Sequence, residues 1–475
     1  MTLPDDGLLL VVKRDCPTCR LIAPVAAELQ RRGMLATLYS QDDPSFPEGL
    51  DVADDRELEG SFRLGVEIVP TLIRRNGGRE DGRAIGWHRG EWQNLTGLNA
   101  LGSDLPAERP GCGSLSVVPG MAEELLARYG DTGLVSRRIE VDFPADVVEQ
   151  TFDRGWADGL PVVPPTQARV LRMLQATTRE PGEVLGEIPP GFAPCTAEKA
   201  AINAVMAGCR PEYFPVVLAA LDAALDPDFA WSGLMSTTMG AGVAVVMNGP
   251  IARRIGMSWQ HNALGHGNRA NATIARALQL MVINIGGAVP GGVDRSTLGH
   301  PGKRGLCFAE DETDPGWQPL AQARGVAQGG SAVTVFGFCG TSINNAERAR
   351  DPETLTRQIA GNLNAVYNPA HAGGGIGAML VLSGEYGRIY REAGWDRARV
   401  EAALLDATRR TPEAIAAGSV APYEGAPRGD LVPKFAPGDL LVVRAGSNAG
   451  LFSTIVQGWG SGPAGSQPVT REVKP

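Results

Sequence analysis

Basic charge is short in this chain, with 44 lysines and arginines against 53 aspartates and glutamates and a formal net charge of −9. A general nucleic-acid binder carries a basic footprint, so that class is set aside. Long apolar runs are also missing: no stretch approaches the roughly 18 residues of a membrane-spanning helix. The start, Met1 to Leu10, carries Asp5 and Asp6 and only a brief apolar stretch, unlike a secretory leader. Cysteine is sparse and odd in number, seven in 475 residues, which excludes a disulfide-built scaffold. Together these features predict a protein of the reducing cytoplasm, with no membrane or nucleic-acid partner. Histidine is scarcer still, at five. The nucleophile elbow GxSxG, the zinc helix HExxH, the P-loop and a clean GxGxxG are all absent.

Glycine and proline are abundant, 61 and 35, and lie between apolar runs, the pattern of many tight turns in an α/β protein. The length predicts more than one domain. We read a first domain over 1–102, a linker over 103–118 (Pro-, Gly- and Ser-rich, with Cys112), and a large α/β domain over 119–475.

In the first domain, Gly7 to Lys13 reads as a buried strand. Cys16-Pro17-Thr18-Cys19 follows, and Leu21 to Arg32 has the apolar spacing of a helix face closed by Gly33. Strands are predicted over 34–39, 66–74 and 82–87, and helices over 55–64 and 90–98. Cys16 would then open a helix, where the positive end of the dipole favours the thiolate, and Cys19 would lie one turn on. The bland alternatives are a metal-binding CxxC or two inert core thiols.

This order, with CxxC between the first strand and helix and Val69-Pro70-Thr71 later, resembles the thioredoxin/glutaredoxin fold over residues 1 to about 100. The resemblance implies that Cys16 attacks, that Cys19 resolves, and that Pro70 forms a cis peptide facing the pair. Cys112 would relay thiol exchange by swinging on the linker, or is an incidental loop cysteine.

In the large domain, helices are predicted over 121–129, 144–156, 167–176, 211–225 and 269–285. Strands are predicted over 136–143, 242–247, 331–338, 376–382 and 440–444. Val243 to Gly256 and Ala378 to Gly394 both read strand, polar turn, basic helix, so two related halves are expected at about 150–300 and 301–475. Ligands of open α/β sheets bind beyond the carboxyl ends of strands. That marks Asn248, Cys339, Thr341, Ser342, Ser383 and Glu385. The densest polar segment, 258–273, adds His261, Asn262, His266, Asn268, Arg269 and Asn271, with His300 and Lys303 in a later polar loop. These residues, with Cys339, form the expected small-molecule site. A zinc ion would need His261 or His266 joined by Cys307, Cys339, His300 or His371, and none of these pairs has the usual short spacing. An external thiol is the other cofactor the residues suit. Cys307 before Glu310-Asp311-Glu312, Cys195 and Cys209 read as structural thiols. Asp158-Gly159-Leu160-Pro161-Val162-Val163-Pro164-Pro165-Thr166 and Gly267-Asn268-Arg269-Ala270-Asn271-Ala272-Thr273 resemble a mostly uncharacterised bacterial family. Some of its relatives are associated with a Sec/Cys-Gly-Ser-Cys motif; here Cys112-Gly113-Ser114 is followed by Leu115.

The leading expectation is a thiol-disulfide oxidoreductase module serving a small-molecule catalytic domain, with a thiol/disulfide reductant protein as partner. A hydrolase or lyase acting through the His261/His266 loop, and a thiol-regulated binding protein, are the alternatives. A homo-oligomer is compatible with the composition.

Overall fold

The computed structural model describes residues 2–141, 146–417, 430–460 and 465–474. The protein is α/β and divides into two compact units, Met1–Gly133 with Gln167–Leu171, and Leu134–Thr166 with Arg172–Pro475.

The first unit is built on β1 (Gly7–Val12), whose Leu8 to Val12 are all buried. An apolar run with no polar alternation needs cover on both faces, which suits a central strand. β1 pairs in parallel with β2 (Leu35–Ser40), and β2 pairs in parallel with β3 (Ala53–Asp54). The helices Pro17–Leu21 and Ala23–Arg31 make the crossover, broken at Ile22 where Ala23-Pro24 restarts the helix. The predicted strand over 66–74 is divided at Pro70 into β4 (Ile68–Val69) and β5 (Thr71–Asn76). β5 runs antiparallel to both β1 and β6 (Arg79–Ile85), giving the order β3-β2-β1-β5-β6. β7 (Trp87–His88) precedes the helix Arg89–Thr96 and pairs with β8 (Glu108–Arg109). The Val69–Pro70 peptide is cis, as the resemblance implies for Pro70. The helix expected over 55–64 forms only at Glu59–Arg63, because the Asp55 carboxylate instead accepts from the amides of Gly60 and Ser61 and holds a turn.

Residues 103–118 are not a free linker. β9 (Cys112–Gly113) pairs antiparallel with β4, Val69 opposite Cys112 and Ile68 opposite Gly113. The following helix, Met121–Tyr129, also belongs to this unit: Arg128 pairs with Glu57 at 3.0 Å, and the Tyr129 ring lies tilted against Phe62 with centroids 6.3 Å apart. The boundary therefore falls near residue 133 rather than 118.

In the second unit, β10 (Val184–Ile188) and β11 (Ala193–Thr196) form a hairpin. Seven strands make the main sheet: β12 (Gly242–Asn248), β13 (Leu306–Ala309), β14 (Ala332–Asn345), β15 (Ile376–Leu382), β16 (Leu440–Arg444), β17 (Phe452–Gly460) and β18 (Val469–Glu472). The order is β13-β12-β14-β17-β15-β16, with β18 beside β14. β12 is parallel to β13 and antiparallel to β14; β15 is parallel to β16 and antiparallel to β17. The sheet is thus two like triplets joined through the antiparallel β14–β17 pair. The echo between 243–256 and 378–394 corresponds to the first strand of each triplet. β13 and β14 sit with β12, so the division expected near residue 300 would cut through the first triplet.

One face of these strands gathers Val246, Phe308, Phe336, Val456, Val381 and Val443 into a single core. The alternate row on β15 and β16 (Ala378, Leu380, Leu382, Leu440 and Val442) packs with Leu355, Ile359, Tyr390 and Val400 of the covering helices. The sheet curls enough that its end strands approach: the Asp311 amide, beyond β13, donates to the Arg444 carbonyl of β16 at 2.7 Å. Edge groups left open in a flat sheet are thereby used. No strand forms over 136–141, where the amides of Val135 and Ser136 instead donate to buried Glu198. Residues 142–145 lie outside the described residues, and the expected helix is seen at Val147–Asp153.

Candidate functional site

β1 delivers the chain to a tight turn in which the Asp42 carboxylate accepts from the amides of Arg14 and Asp15 at 2.7 and 2.9 Å. The turn sets Cys16 as the N-cap of the helix Pro17–Leu21, with extended backbone and Pro17 in the first helical turn. Its sulfur accepts from the Cys19 amide at 3.4 Å and lies 3.5 Å from the Val69 carbonyl. The Lys13 amide donates to Cys19 Sγ at 3.5 Å. Both cysteines are fully buried, at 0% exposure.

The two sulfurs are electrostatically unequal. Hydrogen bonding from the Cys19 thiol, reinforced by the Cys112 thiol and the Cys19 and Thr18 amides, outweighs burial and lowers Cys16 to about 5. Burial, then donation to Cys16, pushes Cys19 far above the ordinary thiol range. Cys112 is also raised, first because it donates to Cys16 and then by burial. Two thiols, Cys19 and Cys112, thus flank one favoured thiolate.

The strand carrying Cys112 is fixed on both sides. Thr18 Oγ1 donates to the Pro110 carbonyl at 2.6 Å, and Lys13 Nζ to the Gly113 carbonyl at 2.7 Å. The Ser114 amide donates to the Glu67 carbonyl at 2.8 Å. Buried Gln41 bridges the hydroxyls of Ser61 and Ser114 and accepts from the Leu115 amide. Gly111 is required by contact: a Cβ there would lie 2.4 Å from the Ile68 side chain and 2.6 Å from the Val69 carbonyl.

The second unit disposes its predicted residues differently. Asn268 caps the helix Arg269–Asn284 and donates to the Gly256 carbonyl. Asn271 is buried and clamps the loop, donating to the carbonyls of Ser258 and Ala263 and accepting from the Ser258 amide. Asn262 donates to the His266 carbonyl, and Arg269 to the Gly208 carbonyl. The asparagines hold their own loop, while His261 and His266 are exposed on it. His300 sets its ring edge against Phe338, 4.7 Å between centroids, and burial lowers its pKa. Lys303 pairs with Asp294 and Ser296. Cys339 is not beyond a strand end: β14 continues through Asn345, so Cys339, Thr341 and Ser342 lie within it, Cys339 at a bulge. Burial pushes its thiol up to about 12. Cys195 and Cys209 are likewise pushed up to about 12, and Cys307 higher, all by burial. Among the described residues no group of three or more His, Cys, Asp or Glu is arranged to hold a metal ion.

Two buried polar sets were not legible as sets. Glu310 is fully enclosed and raised by burial; it accepts from Asn248, the Leu320 amide and Trp317. Lys434 gives its ammonium to the carbonyls of Val366, Asn368 and His371, and burial lowers it to about 8. Asn248 at a strand end and the Glu310-Asp311-Glu312 run were the available signals for the first; Lys434 in an unremarked loop offered none. No protein-family model matches this chain, and no curated protein matches it.

Proposed function

We propose that the first unit is a thioredoxin-like thiol–disulfide exchange module, with Cys16 as nucleophile and Cys19 as resolving thiol. The observation that carries this reading is the inequality of the pair: Cys16 caps a helix as the favoured thiolate while Cys19, one turn on, keeps its proton. A thiolate is the attacking species in exchange. Cys16 attacks one sulfur of a disulfide, and the other sulfur leaves as a thiolate. Cys19 then gives up its proton and attacks Cys16. The Cys16–Cys19 bond forms, the mixed bond breaks, and the substrate has gained two electrons. The strand order around β1 and the loop at Val69-Pro70 facing Cys16 support the same reading.

The second unit is the module's client in this reading. Tethering in one chain keeps the module at high effective concentration for a thiol or disulfide intermediate of a small-molecule reaction held there. A reducing cytoplasm, with a protein reductant to restore the dithiol, suits the cycle.

The test equilibrates the full chain with reduced and oxidised dithiothreitol and maps its disulfides by mass spectrometry. A reversible Cys16–Cys19 disulfide is expected, together with disulfide-reducing activity that Cys16→Ser abolishes. If both thiols stay reduced in oxidised dithiothreitol, the reading is overturned.

A further inference from the structure

Resting on the exchange reading above, we infer that Cys112 is the port through which an external disulfide reaches the buried Cys16–Cys19 pair. Three observations converge. Cys16 and Cys19 have no exposed surface, whereas Cys112 is only partly buried. Cys112 lies opposite Val69 in the β4–β9 pair, and Val69 is the residue whose carbonyl touches Cys16. The strand bearing Cys112 is held by Thr18 from within the CxxC helix, by Lys13 just ahead of it, and by a contact that admits only glycine at 111. A free peptide could not reach Cys16 along this edge, since the protein's own residues 110–114 fill it.

The chemistry balances. The Cys112 thiolate attacks an external disulfide RS–SR, forming Cys112–S–S–R and releasing RS⁻. The Cys16 thiolate attacks the Cys112 sulfur; the Cys16–Cys112 bond forms and the second RS⁻ leaves. Cys19, deprotonated, attacks Cys16. The Cys16–Cys19 bond forms, and Cys112 departs as a thiolate that takes up a proton. The external disulfide gains two electrons and the buried pair loses them. Donation to Cys16 and burial raise Cys112, so its thiolate is the minor form. A thiolate of higher pKa is the stronger nucleophile, which offsets that low population. The class of substrate is a low-mass disulfide or an unfolded peptide disulfide able to meet a half-exposed thiol.

The experiment follows the full chain, reduced and then mixed with glutathione disulfide, as wild type, Cys112→Ser and Cys19→Ser. Serine is close to cysteine in size, Cys112 is half-exposed and Cys19 buried, and circular dichroism checks each fold. In wild type the Cys16–Cys19 disulfide is expected. In Cys19→Ser the expected product is a Cys16–Cys112 disulfide, with no stable glutathione adduct on Cys16. In Cys112→Ser the Cys16–Cys19 disulfide is expected to form at least tenfold more slowly. An unchanged rate in Cys112→Ser, or glutathione trapped on Cys16 in Cys19→Ser, overturns the port. A wild type that forms no Cys16–Cys19 disulfide at all overturns the exchange reading beneath it.

Discussion

At the scale of single residues the protein's chemistry is a matter of which sulfur keeps a proton. Four buried or half-buried cysteines of the second unit are pushed up chiefly by burial, and Cys16 alone is brought down. The difference is donors: Cys16 receives bonds from two thiols and two amides, and the others have too few to offset the loss of water. This fixes a pH dependence. The folded, reduced protein binds fewer protons at Cys16 than the unfolded chain does. The stability Cys16 contributes is therefore complete only above the ordinary thiol range, about 8.5, and fades as pH falls through about 5. Ultraviolet thiolate absorbance of wild type minus Cys16→Ser is expected to be present at neutral pH and lost with a midpoint near 5. A midpoint near 8.5 would contradict the donor set described for Cys16.

At the scale of elements, what was legible followed backbone chemistry. Ile376–Leu382 and Leu440–Arg444 carry continuous apolar runs and were readable to the residue, because a strand buried on both faces carries its own signature. The helix starting at Arg269 was marked by Asn268. What was not legible depended on partners distant in sequence. Cys339, Thr341 and Ser342 were expected beyond a strand end, yet β17 supplies a ladder that carries the strand through them. Residues 103–118 have a linker's composition, but Lys13, Thr18, Gln41 and Glu67 lie waiting for their polar groups. The asparagines of 262–271 looked like ligand donors and serve the loop's own carbonyls. That last finding is testable. Asn271→Ala strips three hydrogen bonds from buried or half-buried backbone groups and is expected to cost about 1–3 kcal/mol in denaturant unfolding. Thermolysin is expected to cut first within 258–268. A variant as stable and as resistant as wild type would show that the clamp does not hold the loop.

At the scale of the whole molecule there are separate cores. Leu9, Leu10 and Val11 belong to one cluster, and Leu380 and Val442 to another, with no shared residue. Calorimetry is expected to resolve two transitions. Leu10→Ala, at a fully buried position, is expected to lower one by about 2–5 kcal/mol and leave the other in place, and Leu380→Ala the reverse. A single transition moved by both variants would mean that the units unfold as one. The nearness of Cys112 to Cys16 has a consequence for this same experiment. A bond between Cys16 and Cys19 ties a ring of a few residues, whereas one between Cys16 and Cys112 would lace nearly the whole first unit into a loop of roughly a hundred residues, worth about 4.7 kcal/mol by loop entropy. The oxidised protein would therefore exist as two isomers of one composition and one electron count, distinguished by how firmly the first unit resists heat.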